Sequence, residues 1–211
     1  MPEALIRRAL PEDWSKIREI CCKTAQAGAE IARERWPFFA ELWVGPYQRL
    51  LPEWCYVAES PDGEVVAYLT GCPESRKFAA ARAIFHSIPL FVKILTRRYD
   101  WNGDVSRFVR RTLRLARDPE RSFSRRARRL VQGNYPAHLH VNAEASYRGA
   151  GIGQKLVERF IIDLKERGFS SGTHIICGSG PVKFYQRTGF ETLERLEFLP
   201  GVPIYLMGRR A

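Results

Sequence analysis

The chain lacks the patterns that identify several common classes of protein. No apolar run reaches the ~20 residues that a membrane-spanning helix needs, and the most apolar stretch, residues 84–95, is interrupted by His86, Pro89 and Lys93. The N-terminus carries no signal-peptide pattern. We therefore expect a cytoplasmic protein with no membrane partner, in which residues 84–95 form a buried helix or a lid.

Metal-binding signatures are also absent. The five cysteines are odd in number and include no metal-type Cys-x-x-Cys pair; they are Cys21, Cys22, Cys55, Cys72 and Cys177. Free, buried thiols in a reducing compartment explain this pattern best. The sequence predicts no metal site.

Acidic residues are scarce relative to basic ones. The chain has 23 Asp and Glu against 34 Lys and Arg, which gives a net charge of +11. Much of the excess lies between residues 97 and 129, where arginines are frequent and acids are few. Such a run is either a solvated helical face or a patch for an anionic partner. Nucleic acid is not favoured, because aromatic residues are sparse there and no known binding motif occurs.

A glycine-rich loop is the most informative feature that the sequence does contain. The segment Arg148-x-x-Gly151-x-Gly153 lies between an apolar run at 139–141 and a helical pattern that begins near Ile152. A strand, a loop and a helix N-terminus in this order present backbone N–H groups and the helix dipole to an anion. Glycine allows the backbone to approach a phosphate closely. The spacing is neither that of a dinucleotide-binding loop nor that of a P-loop.

A second motif follows about thirty residues later. Phe184-Tyr185-x-x-x-Gly189-Phe190 reads as a short helix that ends at Gly189 and leads into a strand. Together the two motifs resemble the GNAT superfamily of acyl-CoA-dependent N-acetyltransferases. Segments 45–47, 56–59, 66–71 and 135–141 further resemble the branch similar to the acetyltransferase-like C-terminal domain of bacterial O-GlcNAcases. The resemblance covers roughly residues 4–71 and 135–207.

The resemblance implies an N-acetyltransferase that uses acetyl-CoA as its cofactor. The acetyl group would pass to a primary amine by direct attack in a ternary complex, with Tyr185 as the general acid that protonates the departing thiolate. The strand would hold the pantetheine arm, and the loop would hold the pyrophosphate. The implied cofactor-binding residues are Val141, Asn142, Ala143, Arg148, Gly149, Ala150, Gly151, Ile152, Gly153, Gln154 and Tyr185.

The general base is less clearly indicated. His138, His140 and Asn142 share one face of the predicted strand by its two-residue period, and Glu144 is expected to point to the other face. His140 or His138 could take the amine proton through water, although a strand histidine is more often structural. Related proteins of this branch often have an Asp where Asn142 stands, and the superfamily frequently has an Asn where Gly178 stands. These departures favour the alternative of a non-catalytic acyl-CoA-binding or interaction module.

Alternating strands and helices predict one α/β domain over residues 1–211, with a mixed sheet and helices on both faces. The resemblance implies that this sheet is twisted and mostly antiparallel. Residues 73–134 form a helical insertion that we expect to cover the acceptor side of the cleft. The acceptor is an unidentified amine, acidic if the insertion's arginines face it, and a homodimer is left open. Predicted strands cover 5–10, 54–59, 64–70, 138–142, 173–177, 191–199 and 204–208. Predicted helices cover 11–27, 38–50, 76–96, 105–116, 152–167 and 181–188.

Overall fold

A computed structural model of the chain describes residues 4–25, 28–99, 102–115 and 119–210. Seven strands form one sheet in the order β1-β2-β3-β4-β5-β7-β6. The strands are β1 (Leu5–Arg8), β2 (Cys55–Glu59), β3 (Val65–Cys72), β4 (Ala137–Ala143), β5 (Thr173–Gly178), β6 (Glu191–Leu199) and β7 (Val202–Arg209). Only the β4–β5 pair is parallel, which confirms the predicted mixed, mostly antiparallel sheet.

The helices lie close to their predicted positions. They are α1 (Trp14–Lys23), α2 (Trp36–Trp43), α3 (Gly45–Leu50), α4 (Ser75–Arg82), α5 (Ile88–Leu95), α6 (Gly103–Leu115), α7 (Arg125–Asn134), α8 (Ile152–Glu166) and α9 (Val182–Arg187). The predicted helix over 38–50 is two helices. Pro46 has no N–H to donate, so the chain breaks at Val44 and restarts with Pro46 in the first turn of α3. The predicted helix over 11–27 is too long at its C-terminal end, because α1 ends at Lys23 and Thr24 is its C-cap; residues 26–27 lie outside the described residues.

The sequence did not predict α7 as a separate helix. It begins where the Ser124 hydroxyl accepts a hydrogen bond from Ala127 N at 3.1 Å, which is an N-cap. Ala127 and Val131 then pack against Leu206 of β7. This burial stabilises the helix, which ends at Asn134.

Helices cover both faces of the sheet. On one face, Leu156 and Phe160 of α8 pack against Leu69 and Leu139 of the central strands. On the other face, Ile17 of α1 belongs to a cluster with residues of β2 and β3. The face that β4 turns toward α1 carries His138, His140 and Asn142, as its alternation predicts.

The helix over residues 75–95 is the main departure from expectation. The segments α4, a π-helical turn (Ala83–Ser87) and α5 run continuously for 21 residues, and by length and composition this helix could cross a membrane. The prediction of a buried helix over 84–95 is wrong. Leu90 is buried, but six large apolar side chains are more than half exposed: Ile84, Phe85, Ile88, Phe91, Val92 and Leu95.

Candidate functional site

Strands β4 and β5 separate along their length. They pair only at Ala137–Thr173 and His138–His174, whereas β4 stays paired with β3 as far as Ala143. The second half of β4 therefore turns an unpaired backbone edge toward the gap. Such an edge can form backbone hydrogen bonds with an extended ligand.

A cavity of about 440 Å³ opens at this gap, and we call it the loop cavity. It is lined by Val141, Asn142, Ala143, Tyr147, Arg148, Gly149, Gly151, Ile152, Gly153, Gln154, Pro181, Phe184, Tyr185, Arg187 and Thr188. Every predicted cofactor-binding residue except Ala150 is in this set. The structure thus brings the two sequence motifs together around one space, although Tyr147, Phe184 and Thr188 were not predicted to line it.

The glycines of the loop have different physical roles. Gly149 (φ +83°) and Gly151 (φ +76°) adopt left-handed conformations that favour glycine, and Gly151 is the N-cap of α8. A Cβ at Gly153 would lie 3.0 Å from the Phe184 ring. Gly153 is therefore needed for packing of the loop helix against α9, a reason that differs from the predicted close approach to a phosphate.

Arg148 holds the loop in place. Its guanidinium donates hydrogen bonds to the Ala143 carbonyl and to the Gly28 carbonyl, each at 3.2 Å. The side chain thereby ties the end of β4 to the segment that follows α1. Its positive charge adds to the favourable field of the α8 N-terminus at the loop.

Tyr185 lies at the inner end of the loop cavity with 7% of its surface exposed. Its ring packs edge-on against Phe184 and Phe190, with centroids 5.0 and 5.4 Å away. Burial, and next the neighbouring Cys177, raise the pKa of the Tyr185 phenol well above its usual value. The phenol is therefore protonated at neutral pH and available as a donor. Burial also raises the pKa of the Cys177 thiol to about 11, so this cysteine is not a thiolate nucleophile at neutral pH.

A second cavity, of about 420 Å³, lies on the other side of β4, and we call it the aromatic cavity. Its lining residues are Cys21, Thr24, Ala25, Ile31, Arg35, Phe39, Trp43, Tyr68, Thr70, Phe108, Arg111, Thr112, His140 and Asn142. Asn142 lines both cavities, so they meet at this residue. Its amide donates to the Tyr68 hydroxyl at 2.9 Å, which fixes the side chain between them.

The two strand histidines differ in what they contact. Both ring nitrogens of His138 are engaged, Nε2 with the Tyr47 hydroxyl at 2.8 Å and Nδ1 with Ser75 Oγ at 2.6 Å. His140 instead lines the aromatic cavity. The ring is exposed on the side that opens to the cavity. The protein around it, and next the charges of Arg82 and His174, lower its pKa below the usual value. His140 is neutral at pH 7, and of the two it is the one placed to accept a proton.

The prediction for Glu144 is wrong. Its carboxylate pairs with Lys16 of α1 at 3.1 Å and approaches Lys23 at 4.0 Å. It therefore lies on the α1 side of the sheet, the same side as His140. Simple alternation from Asn142 would have indicated this face. Glu144 is nevertheless engaged by lysines and lines neither cavity.

The helical insertion divides into two parts. Phe108, Arg111 and Thr112 of α6 line the aromatic cavity. That the insertion covers an acceptor side stays a prediction. The arginines of α7 do not line the aromatic cavity. Arg128 lines a separate cleft between α4 and α7, and Arg125, Arg126 and Arg129 are exposed. The arginines that do line the aromatic cavity are Arg35 and Arg111. The helical spacing of 108, 111 and 112 could have indicated this wall from the sequence. Phe39 and Trp43 of α2 form the opposite wall.

Comparison with known proteins supports the superfamily at the level of fold. No family model matches the chain, and no curated protein matches it in sequence. Its structure is similar to SsHAT, with a TM-score of 0.72 and 26% identity over 99% of this chain and 98% of that one. It is also similar to the histone acetyltransferase HPA2 and related acetyltransferase from Corynebacterium glutamicum, with a TM-score of 0.58 and 15% identity over 99% of this chain and 98% of that one.

A third similar structure is a GCN5-related N-acetyltransferase from Kribbella flavida, with a TM-score of 0.57 and 15% identity over 99% of this chain and 98% of that one. The chain therefore has the fold of the GCN5-related N-acetyltransferases. In this chain the two predicted GNAT motifs line the loop cavity. The finer resemblance to the O-GlcNAcase-associated branch stays a prediction.

Proposed function

We propose that the protein is an acetyl-CoA-dependent N-acetyltransferase that transfers an acetyl group to a primary amine by direct attack in a ternary complex. The observation that carries the proposal is the meeting of two cavities at Asn142. One is lined by a glycine loop at a helix N-terminus and by an unpaired strand edge, and the other by a neutral histidine. A donor and an acceptor could thus approach β4 from opposite sides.

The residues of the loop cavity fit acetyl-CoA, which would supply the acetyl group as a thioester. The backbone N–H groups of residues 149–153 and the dipole of α8 suit a pyrophosphate. The unpaired edge at Val141–Ala143 suits the amide groups of a pantetheine arm. A backbone N–H on this edge could also donate to the carbonyl oxygen during transfer, a contribution of about 3 kcal/mol for one donor.

His140 and Tyr185 supply the proton transfers in this proposal. As the amine nitrogen forms its bond to the carbonyl carbon, His140 takes the amine proton through a water molecule. As the carbon–sulfur bond breaks, the Tyr185 phenol protonates the thiolate and later regains a proton from solvent. Tyr185 lines the loop cavity and His140 the aromatic cavity, so each acts on its own side of β4.

A substitution in the loop tests cofactor binding. Gly151→Glu should abolish coenzyme A binding, because it places a side chain and a negative charge against the pyrophosphate site. Gly63→Glu is a matched control, since Gly63 also has a positive φ (+81°) and open space around it but lies in the β2–β3 turn. Calorimetry should show binding only in the control. Unchanged affinity in Gly151→Glu would remove the basis of the assignment.

The second candidate is a non-catalytic acyl-CoA-binding module. It is favoured by Asn142, where proteins of the O-GlcNAcase-associated branch often have an Asp, and by Gly178, where the superfamily often has an asparagine. Gly178 ends β5 and has no side chain to contact a ligand. Steady release of coenzyme A from acetyl-CoA in the presence of an amine panel separates the two candidates, since a binding module would show affinity without turnover.

A further inference from the structure

The aromatic cavity has an unusual charge for a site that receives an amine. The described residues that line it include two arginines, Arg35 and Arg111, but no Asp or Glu. An alkylamine is protonated at neutral pH, and its cation would lose hydration here without gaining a carboxylate partner. Burial of such a cation beside two guanidinium groups is therefore unfavourable.

The walls of the cavity are aromatic. Phe39 lies between Trp43 and Phe108, with ring centroids 6.1 and 6.2 Å away. Phe39 and Trp43 come from α2 and Phe108 comes from α6, so the rings face the cavity from two sides. Aromatic side chains in this arrangement favour a flat, apolar ligand body.

The two arginines of the cavity differ in availability. Arg35 is engaged, because its Nε donates to Asp104 at 3.0 Å and its guanidinium lies 4.9 Å from the centre of the Phe108 ring. Arg111 makes no hydrogen bond or ion pair within the described residues, and it is exposed to the cavity. Arg111 lies one helical turn from Phe108, so it could bind an anionic group of a ligand whose body contacts that ring.

The proton acceptor at the cavity floor fits a weakly basic amine. The titratable groups that line the cavity are His140, Tyr68, Cys21, Arg35 and Arg111. His140 has a pKa below that of an ordinary imidazole, so it is a poor match for an alkylammonium group of pKa about 10. An amine that is already neutral at pH 7 needs no prior deprotonation.

We propose that the acceptor is an aromatic amine that carries a carboxylate, with its ring among Phe39, Trp43 and Phe108 and its carboxylate on Arg111. This inference rests on the proposed function and specifies the substrate class of the same site. The neutral amine nitrogen attacks the thioester carbonyl, the new N–C bond forms as the C–S bond breaks, and the amine proton leaves through water to His140. The coenzyme A thiolate receives its proton from Tyr185.

Three matched compounds test the class of acceptor. They are para-aminobenzoate, its uncharged ethyl ester, and para-(aminomethyl)benzoate, which keeps the carboxylate but has an alkylamine. Measured by coenzyme A release at pH 7, kcat/KM should be highest for para-aminobenzoate. Arg111→Gln should lower that value about 10–100-fold, the range of a lost charge-assisted hydrogen bond, and should leave the ester unchanged. Arg110→Gln is the control, since Arg110 is exposed on α6 but does not line the cavity.

The possible outcomes separate this inference from the proposed function. Faster acetylation of para-(aminomethyl)benzoate, or an equal effect of Arg111→Gln on the acid and its ester, overturns the inference and leaves the acetyltransferase standing. Calorimetry with unreactive benzoate provides a readout independent of turnover. Arg111-dependent benzoate binding without any coenzyme A binding would support the acceptor site and overturn the proposed function instead. A failure of benzoate to bind overturns the inference.

A different observation carries a second proposal, on the exposed helix over 75–95. Its six exposed apolar side chains recur at positions 84, 85, 88, 91, 92 and 95, which places them on one side of the helix. We call them the apolar face. Residues 75–99 include no Asp or Glu but carry six basic residues, namely Arg76, Lys77, Arg82, Lys93, Arg97 and Arg98. Of these, Lys93 is paired with Glu41 at 3.1 Å and Lys77 with Glu74 at 2.8 Å.

We infer that the apolar face lies on an anionic membrane surface. Arg76, Arg97 and Arg98 are exposed near the two ends of this helix. A helix that combines an exposed apolar face with exposed basic residues binds the boundary between headgroups and acyl chains, and anionic lipids add an electrostatic attraction. Charge also favours anionic lipid over a second copy of this chain, which would bring a further net charge of +11. This inference replaces the sequence-based expectation of no membrane partner.

Vesicle co-sedimentation tests the surface. The protein should bind phosphatidylserine-containing vesicles more strongly than pure phosphatidylcholine vesicles, and Phe85→Ser with Phe91→Ser should lower that binding at least tenfold. Ile162→Ser is the matched control, because Ile162 is half exposed on α8, away from the helix. The inference is overturned if the wild-type protein binds neither kind of vesicle. It is also overturned if the wild-type protein is a dimer and the double variant is a monomer.

Discussion

Tyr185 is the residue whose side chain the proposed chemistry depends on most. Tyr185→Phe removes the proton donor but keeps the ring that packs against Phe184 and Phe190. Turnover should fall about 10–10³-fold, within or just below the loss that removal of a general acid usually causes. The affinity for acetyl-CoA should change little. Steady-state kinetics and calorimetry on the same preparation separate the two quantities.

Tyr147→Phe is the control for that experiment, because Tyr147 lines the loop cavity and has no proposed role in proton transfer. Its turnover should stay within about threefold of wild type. Full activity of Tyr185→Phe would assign Tyr185 to packing and leave water as the proton source.

At the scale of elements, Asp163 of α8 joins the helix to the edge of the sheet. Its fully buried carboxylate accepts hydrogen bonds from Tyr56 of β2 at 2.9 Å and from Arg8 of β1 at 3.0 Å, and it pairs with Arg159 at 2.8 Å. Although burial alone would raise the pKa of Asp163, the bonds from Arg8 and Tyr56 lower it below its usual value. One side chain thereby fastens the helix whose N-terminus forms the glycine loop.

We expect Asp163→Asn to lower the free energy of unfolding by about 2–4 kcal/mol, because the variant leaves Arg8 and Arg159 without their carboxylate. Since the pKa of Asp163 is lower in the folded than in the unfolded state, its contribution is complete above the unfolded pKa of about 3.9 and is lost as pH falls through the folded value. Urea unfolding at pH 7 and at pH 3 measures this. Glu158→Gln, on the exposed side of α8, is the control; a loss of stability that is equal at both pH values would contradict the pH argument.

At the scale of the whole molecule, the positive charge is divided between regions with different surroundings. The exposed arginines of α7 lie beside β6 and β7, whereas Arg111 of α6 lines the aromatic cavity. Replacement of Arg125, Arg126 and Arg129 by Ser should therefore leave the KM of both substrates within about twofold of wild type at 0.15 M salt, where screening acts over about 8 Å. Arg128 is kept, since its Nε is buried.

Kinetics at several salt concentrations checks this expectation. A rise in either KM, with a flatter salt dependence, would show that α7 attracts a substrate from a distance. It would favour the alternative that the whole arginine run is a patch for an anionic partner.

The sequence by itself determined the local features of this protein. The two-residue period placed His138, His140 and Asn142 on one face, and glycine spacing located the loop that begins α8. These features depend on neighbours along the chain, through strand alternation and helix capping, so they can be read from short segments. The seven strands and most helices were predictable for the same reason.

Only the tertiary structure decided which of these local features meet. His138 bonds to Tyr47 and Ser75, which are distant in sequence, and this leaves His140 to face the cavity. Burial against Leu206 holds α7 beside β7, and the absence of a covering element leaves the apolar face exposed among the described residues. Packing between distant segments sets burial and charge, and no local pattern contains that information.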